Sequence, residues 1–93
     1  MSAREQLQAD LVELLTELEL DTAPYGIIEG METLPRGGKV RTVTFGVSAY
    51  LDATAHIWTP TRIAFKGQGP LAQRLPAEVN SLEEFRKAWQ DWD

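Results

Sequence analysis

From Val43 to Phe65 the apolar side chains keep to odd positions: Val43, Phe45, Val47, Ala49, Leu51, Ala53, Ala55 and Ile57, then Ile63 and Phe65. The even positions hold mostly Thr, Ser, Tyr, Asp, His, Trp, Arg and Lys. Successive side chains of a strand point to opposite faces, so a period of two predicts a sheet with one buried side and one open side. Gly37 and Gly38 interrupt the chain between Leu34 and Lys39, as a hairpin turn needing positive φ does. Thr59, Pro60 and Thr61 mark a second turn, because proline cannot donate to a central ladder. Strands are predicted over 26–33, 39–48, 51–58 and 62–66. Alternation runs on through the break between the second and third, where one long bent strand is the alternative.

Helical spacing flanks this region. Leu7, Leu11, Leu14, Leu15 and Leu18 recur at steps of three and four and form one apolar stripe over 3–20, with Glu5, Asp10, Glu13, Glu17 and Glu19 on the wet side. Pro24 closes that helix near Asp21. Ser81 with Glu84 three residues on reads as a capping box, so a second helix starts at Leu82 and carries Leu82, Phe85, Trp89 and Trp92 on one stripe. Between Gly67 and Asn80 lies a connection of about 14 residues, longer than most, with Leu71 and Leu75 as anchors. It is a candidate functional loop.

Two singly striped helices and a sheet with one apolar face have one economical arrangement. The expected fold is α+β: a four-stranded antiparallel meander with the N-terminal and C-terminal helices packed on its odd face, in the order α-β-β-β-β-α, as a single domain over 1–93. At 93 residues, such a chain buries roughly 60% of its unfolded surface. Apolar residues at 43% and charged ones at 25% match globular usage and exclude disordered and collagen-like classes. With no cysteine there is no disulfide, thiolate metal site or thiol nucleophile, and a cytoplasmic setting is the expectation. Residues 1–10 lack the apolar core of a secretory signal, and no run approaches the ~18 apolar residues of a bilayer span, so no membrane association is expected.

Charge is distributed in blocks. Residues 1–34 hold eight acids against Arg4, residues 35–77 hold six bases against Asp52, and residues 78–93 hold five acids against Arg86 and Lys87. The net charge of -5 opposes generic duplex DNA or anionic membrane binding. A local basic face escapes that argument.

Catalytic signatures are sparse. His56 is the one histidine, and Asp52 on the same predicted face sits about 13 Å along the strand, too far to share a proton. The serines are Ser2, Ser48 and Ser81, and none lies in a nucleophile elbow. Gly67-Gln68-Gly69-Pro70 and Gly37-Gly38-Lys39 lack the rest of a phosphate loop. Glu13 with Glu17, and Glu83 with Glu84, lie on helix faces, where a hard cation finds too few converging oxygens. No catalytic residue, metal site or cofactor is expected.

Binding surfaces remain. The even face would present Tyr50, His56, Trp58, Arg62 and Lys66 beside Thr42, Thr44 and Thr54, a cationic aromatic platform on which single-stranded nucleic acid can stack. The same residue types suit a protein interface or a homodimer formed by two such faces. Glu13 and Glu17, with the other acids of the first helix, imitate spaced phosphates and suit a basic site on a partner. The leading expectation is a small non-enzymatic binding or regulatory protein acting on a protein or nucleoprotein partner. Small size, acidity and lack of catalytic machinery are shared by accessory proteins of phages and mobile elements, inhibitors of host defence among them. A single-stranded nucleic-acid-binding module is the alternative, and a small-molecule enzyme using His56 is the third reading.

Overall fold

The computed structural model describes residues 2–22, 26–46, 53–67 and 73–91. Helix α1 spans Ala3–Glu17, and strands β1 (Ile28–Thr33), β2 (Lys39–Phe45), β3 (Ala53–Thr59), β4 (Arg62–Gly67) and β5 (Glu78–Val79) precede helix α2 (Leu82–Gln90). The strands form one antiparallel meander in sequence order. The architecture is the expected α+β fold with one strand more. That strand, β5, comes from the long connection after Gly67, where Phe65 N–H also donates to Ala77 O at 3.0 Å. Two residues are too short to show a period. Among the described residues, no helix is long and apolar enough to cross a membrane.

Register explains the core. Val43 pairs with Ala55 and Ala55 with Phe65, while Phe45 pairs with Ala53. All five are buried on the odd face with Ile57 and Ile63. Alanine in the central strand leaves depth for Leu11, Leu14 and Leu15 of α1, which lies over β2 and β3. Larger side chains there would push the helix away. Aromatic rings dock α2: Phe45 meets Phe65 edge-on at 6.4 Å, Phe65 stacks on Phe85 at 5.1 Å, and Phe85 on Trp89 at 6.4 Å. Trp92 lies outside the described residues. The two helices therefore cover the odd face, and the even face is left without a helix.

The caps follow local chemistry. Ser81 Oγ accepts from Glu84 N–H at 3.1 Å, and the Glu84 carboxylate accepts from Asn80 N–H, one residue earlier than the standard box. The hairpin between β1 and β2 turns with Gly37 at φ 90°, Gly37 N–H donating to Leu34 O and Leu34 N–H to Gly38 O at 2.7 Å. A pair closed in this way by an αL glycine is the bulged three-residue loop.

Helix α1 ends earlier than Pro24 alone implies. Glu19 N–H donates to Thr16 O and Leu20 N–H to Leu15 O, the paired bonds of a Schellman motif. Its left-handed position is filled by Glu19 at φ 60°, not by glycine. Leu20, 1% exposed, supplies the apolar contact, and its carbonyl accepts from Gly46 N–H. Glu19→Gly should therefore raise stability by about 0.5 to 1 kcal/mol, since glycine adopts this φ without the Cβ penalty. Urea unfolding measures this, and a less stable variant would contradict it.

Candidate functional site

Two surfaces hold the residues singled out by the sequence. On the even face, register places Ile28, Gly30 and Glu32 of β1 beside Thr44, Thr42 and Val40 of β2, then Thr54 and His56 of β3, then Lys66 and Ala64 of β4. His56 is not the solvated side chain expected of this face. It is 8% exposed, because Thr42 and Ala64 beside it are small and Trp58, two residues along, stacks on its ring at 6.2 Å and 19°. Val40 is buried on the same side.

The carboxylate that reaches His56 belongs to Glu32, with Oε2 3.0 Å from Nε2. A carboxylate only accepts, so Nε2 carries the proton of this bond. Nδ1 is buried with no partner among the described residues. An acid-base pair of this composition resembles half of a catalytic dyad. However, the nitrogen that a substrate would have to meet is sealed from solvent. Asp52 lies outside the described residues, as does Tyr50.

The remaining cations of this face are Arg62 and Lys66. Arg62 pairs with Glu78 at 3.1 Å, whereas Lys66 is exposed and has no ion-pair partner among the described residues. With Glu32 and Glu78 opposing Arg62 and Lys66, the described part of the face is electrically balanced. Trp58 is half-buried, with one ring face spent on His56. Arg41, another base of the middle segment, turns to the odd face instead. Its guanidinium meets Glu5 at 3.0 Å and Gln8 Oε1 at 3.1 Å, and the Gln8 amide donates to Thr42 O and Gly30 O. The buried Gln8 thus fastens α1 to β1 and β2, a role hidden in the sequence because it depends on partners 22 to 34 residues away.

The second surface lies on the helical side. An open depression of about 410 Å³ runs between α1 and α2, lined by Asp10, Glu13, Leu14, Glu17, Leu82 and Arg86. Positions 10, 13, 14 and 17 recur at helical spacing and share one stripe. Leu14 and Leu82 form an apolar floor below carboxylates. Arg86 grips both Glu17 oxygens at 2.8 and 3.2 Å. The hydrogen bonds and then the charge of Arg86 hold the Glu17 carboxyl below its ordinary 4.5, and Glu17 raises Arg86 in return. Asp10 accepts from Gln6 at 2.9 Å, and Glu13 is exposed. Among the described residues no three His, Asp or Glu side chains converge as ligands for a metal.

Two expectations follow. Glu32→Ala should cost about 1 kcal/mol, because it strands a buried donor, and Glu32→Gln should cost less because an acceptor remains; equal stabilities in urea would contradict the pairing. A depressed carboxyl stabilises the fold above its unfolded value and loses that contribution as pH falls through the folded value. Glu17→Gln should therefore be less stable than the parent at neutral pH, with the two pH-stability curves converging as pH drops below 4.5. A constant gap down to strong acid would exclude the linkage.

The chain matches no protein-family model, no curated protein and no solved structure, so geometry alone carries the functional reading.

Proposed function

We propose that the protein is a non-enzymatic binding module whose working surface is the acidic groove between α1 and α2, and that its partner is a basic segment of another protein. The observation behind this reading is the groove itself: an apolar floor of Leu14 and Leu82 beneath Asp10, Glu13 and Glu17. Lysine and arginine carry a long apolar stem behind a charged head. A stem laid on Leu14 and Leu82 brings its head to Asp10 and Glu13, the carboxylates that Arg86 leaves available. Glu5 is taken by Arg41 and Glu17 by Arg86, so attraction at longer range rests on Asp10 and Glu13, and charge of one sign on one face steers an oppositely charged partner.

The other readings gain less support. Single-stranded nucleic acid needs net positive charge and open ring faces, and the described residues of the even face offer Lys66 and one side of Trp58. Enzymatic use of His56 needs a cleft at the imidazole, whereas the depression lies on the opposite side of the sheet. A regulator that occupies a basic site on its target agrees with the acidic groove.

The test is an NMR titration with a short arginine-rich peptide, run beside a single-stranded oligonucleotide. Shifts should gather at Asp10, Glu13, Leu14 and Leu82 with the peptide. They should fade as salt shortens the Debye length from about 30 Å at 0.01 M to about 8 Å at 0.15 M. Glu13→Lys should abolish them while leaving the fold intact. Shifts confined to Trp58 and Lys66, produced by the oligonucleotide and not the peptide, would replace this reading with the nucleic-acid one.

A further inference from the structure

The long edge of the sheet has no strand partner among the described residues. β1 is exposed along all six residues, and the large apolar side chains exposed among the described residues, Ile28 at 45% and Met31 at 50%, both lie on it. Edge strands are commonly blunted by charged side chains, lysine above all, or by proline, a bulge or extreme shortness. β1 carries Glu29 and Glu32 but no lysine, proline or bulge. Its sequence is Ile-Glu-Gly-Met-Glu-Thr, and its register with β2 runs unbroken from Ile28 opposite Thr44 to Thr33 opposite Lys39. The other edge, β5, is two residues long.

The hairpin bond from Leu34 N–H to Gly38 O sets which groups point outward. Hydrogen-bonded pairs alternate in an antiparallel ladder, so Glu32, Gly30 and Ile28 turn their backbone groups to β2. Glu29, Met31 and Thr33 turn theirs to the free edge. Three N–H and three C=O groups are thus presented in a row.

We propose that this edge pairs antiparallel with β1 of a second copy, with Met31 on the two-fold axis, to give one continuous sheet across a homodimer. In that register Met31 faces its own copy and Glu29 faces Thr33 of the other chain. All outward groups of both strands then find partners in six ladder bonds. Gly30 falls opposite Glu32 of the other chain, and Ile28 falls opposite Leu34. No glutamate lies directly opposite another; the nearest like pair is Glu32 with Glu32 of the other chain, on the diagonal at about 7 to 8 Å.

Face preservation puts both helical layers on the same side. Because α1 lies over β2 and β3, the two copies of α1 stand about four strand spacings apart, roughly 19 Å at 4.8 Å each. That exceeds the Debye length of about 8 Å at physiological salt, so their repulsion is largely screened. The Met31 pair sits in the trough between them. An edge contact of this kind belongs to the weak class below about 1,200 Å². The groove between α1 and α2 is not used, so failure of one proposal leaves the other standing.

Sedimentation over about 10 μM to about 1 mM, a range suited to weak interfaces, tests the pairing. The average mass should climb from 10.4 kDa toward twice that value, and climb more steeply as salt is raised. Amides of Glu29, Met31 and Thr33 should gain hydrogen-exchange protection only at the high-concentration end. Met31→Lys and Met31→Glu should each stay monomeric with unchanged circular dichroism and associate when mixed. A parent protein still monomeric at the highest concentration would overturn the proposal, as would a Met31→Lys variant that dimerises as well as the parent.

Discussion

The structure depends on the register between β2 and β3. Sliding β2 by a single residue would exchange Val43 and Phe45 for Thr42 and Thr44 at the face beneath α1, and sliding β3 would exchange Ala55 and Ile57 for Thr54 and His56. The helix would then rest on polar groups, and Leu11 and Leu15, fully buried here, would lose their partners. Each large buried aliphatic group contributes about 1.5 to 3 kcal/mol through removal from water. The whole of a small domain's net stability is only about 5 to 15 kcal/mol, so few such contacts can be given up. Every other feature is arranged around this constraint: small residues in β3, large ones at its flanks, and a helix on one side only.

Charge follows the same geometry. Along the chain, acids and bases lie in separate blocks, and folding brings the blocks together. Arg41 of β2 meets Glu5 of α1, Arg62 of β4 meets Glu78 of β5, Arg86 of α2 meets Glu17 of α1, and His56 of β3 meets Glu32 of β1. Exposed pairs of this kind contribute about 0 to 1 kcal/mol each, so their chief consequence is electrical. They take up Arg41 and Arg62 of the basic middle segment and leave Asp10 and Glu13 as the carboxylates of α1 outside these pairs. The sequence directs attention to the sheet, whereas these two acids line the depression on the helical side.

Fold and site differ in how far they are legible from residues in order. Odd-numbered alternation at Val43 and Phe45, Ala53 to Ile57, and Ile63 and Phe65, the leucine stripe of α1 and the Ser81 cap are signals spanning one element, and they locate β2, β3, β4 and both helices but not the two-residue β5. Contacts between elements leave no such trace. Asp52 is four positions from His56 in sequence and lies outside the described residues, whereas Glu32, 24 positions away, reaches it across β2. Gln8 stands among leucines and holds two backbone carbonyls and Arg41. The αL position at Glu19 lacks the glycine that would have signalled it, so the end of α1 depends on hydrogen bonds to Leu15 and Thr16. Each of these follows from tertiary geometry overriding a local preference.

The asymmetry of the molecule comes from the same source. A helix of 15 residues is about 22 Å long, and with α1 lying over β2 and β3 strand β1 falls outside its cover. Strand β1 is then held by its ladder to β2, by the Gln8 amide on one face and by Glu32 on the other. It contributes almost nothing to the core, since all six of its residues are exposed. A strand retained without burial of its own adds little through the hydrophobic effect, and what it does supply is a straight, regular edge with apolar side chains at Ile28 and Met31. On the opposite margin, where α2 and its aromatic stack need cover, the sheet stops after two residues. The core thus accounts for one margin of the sheet, and the other keeps its outward backbone groups because nothing in the core calls for cover there.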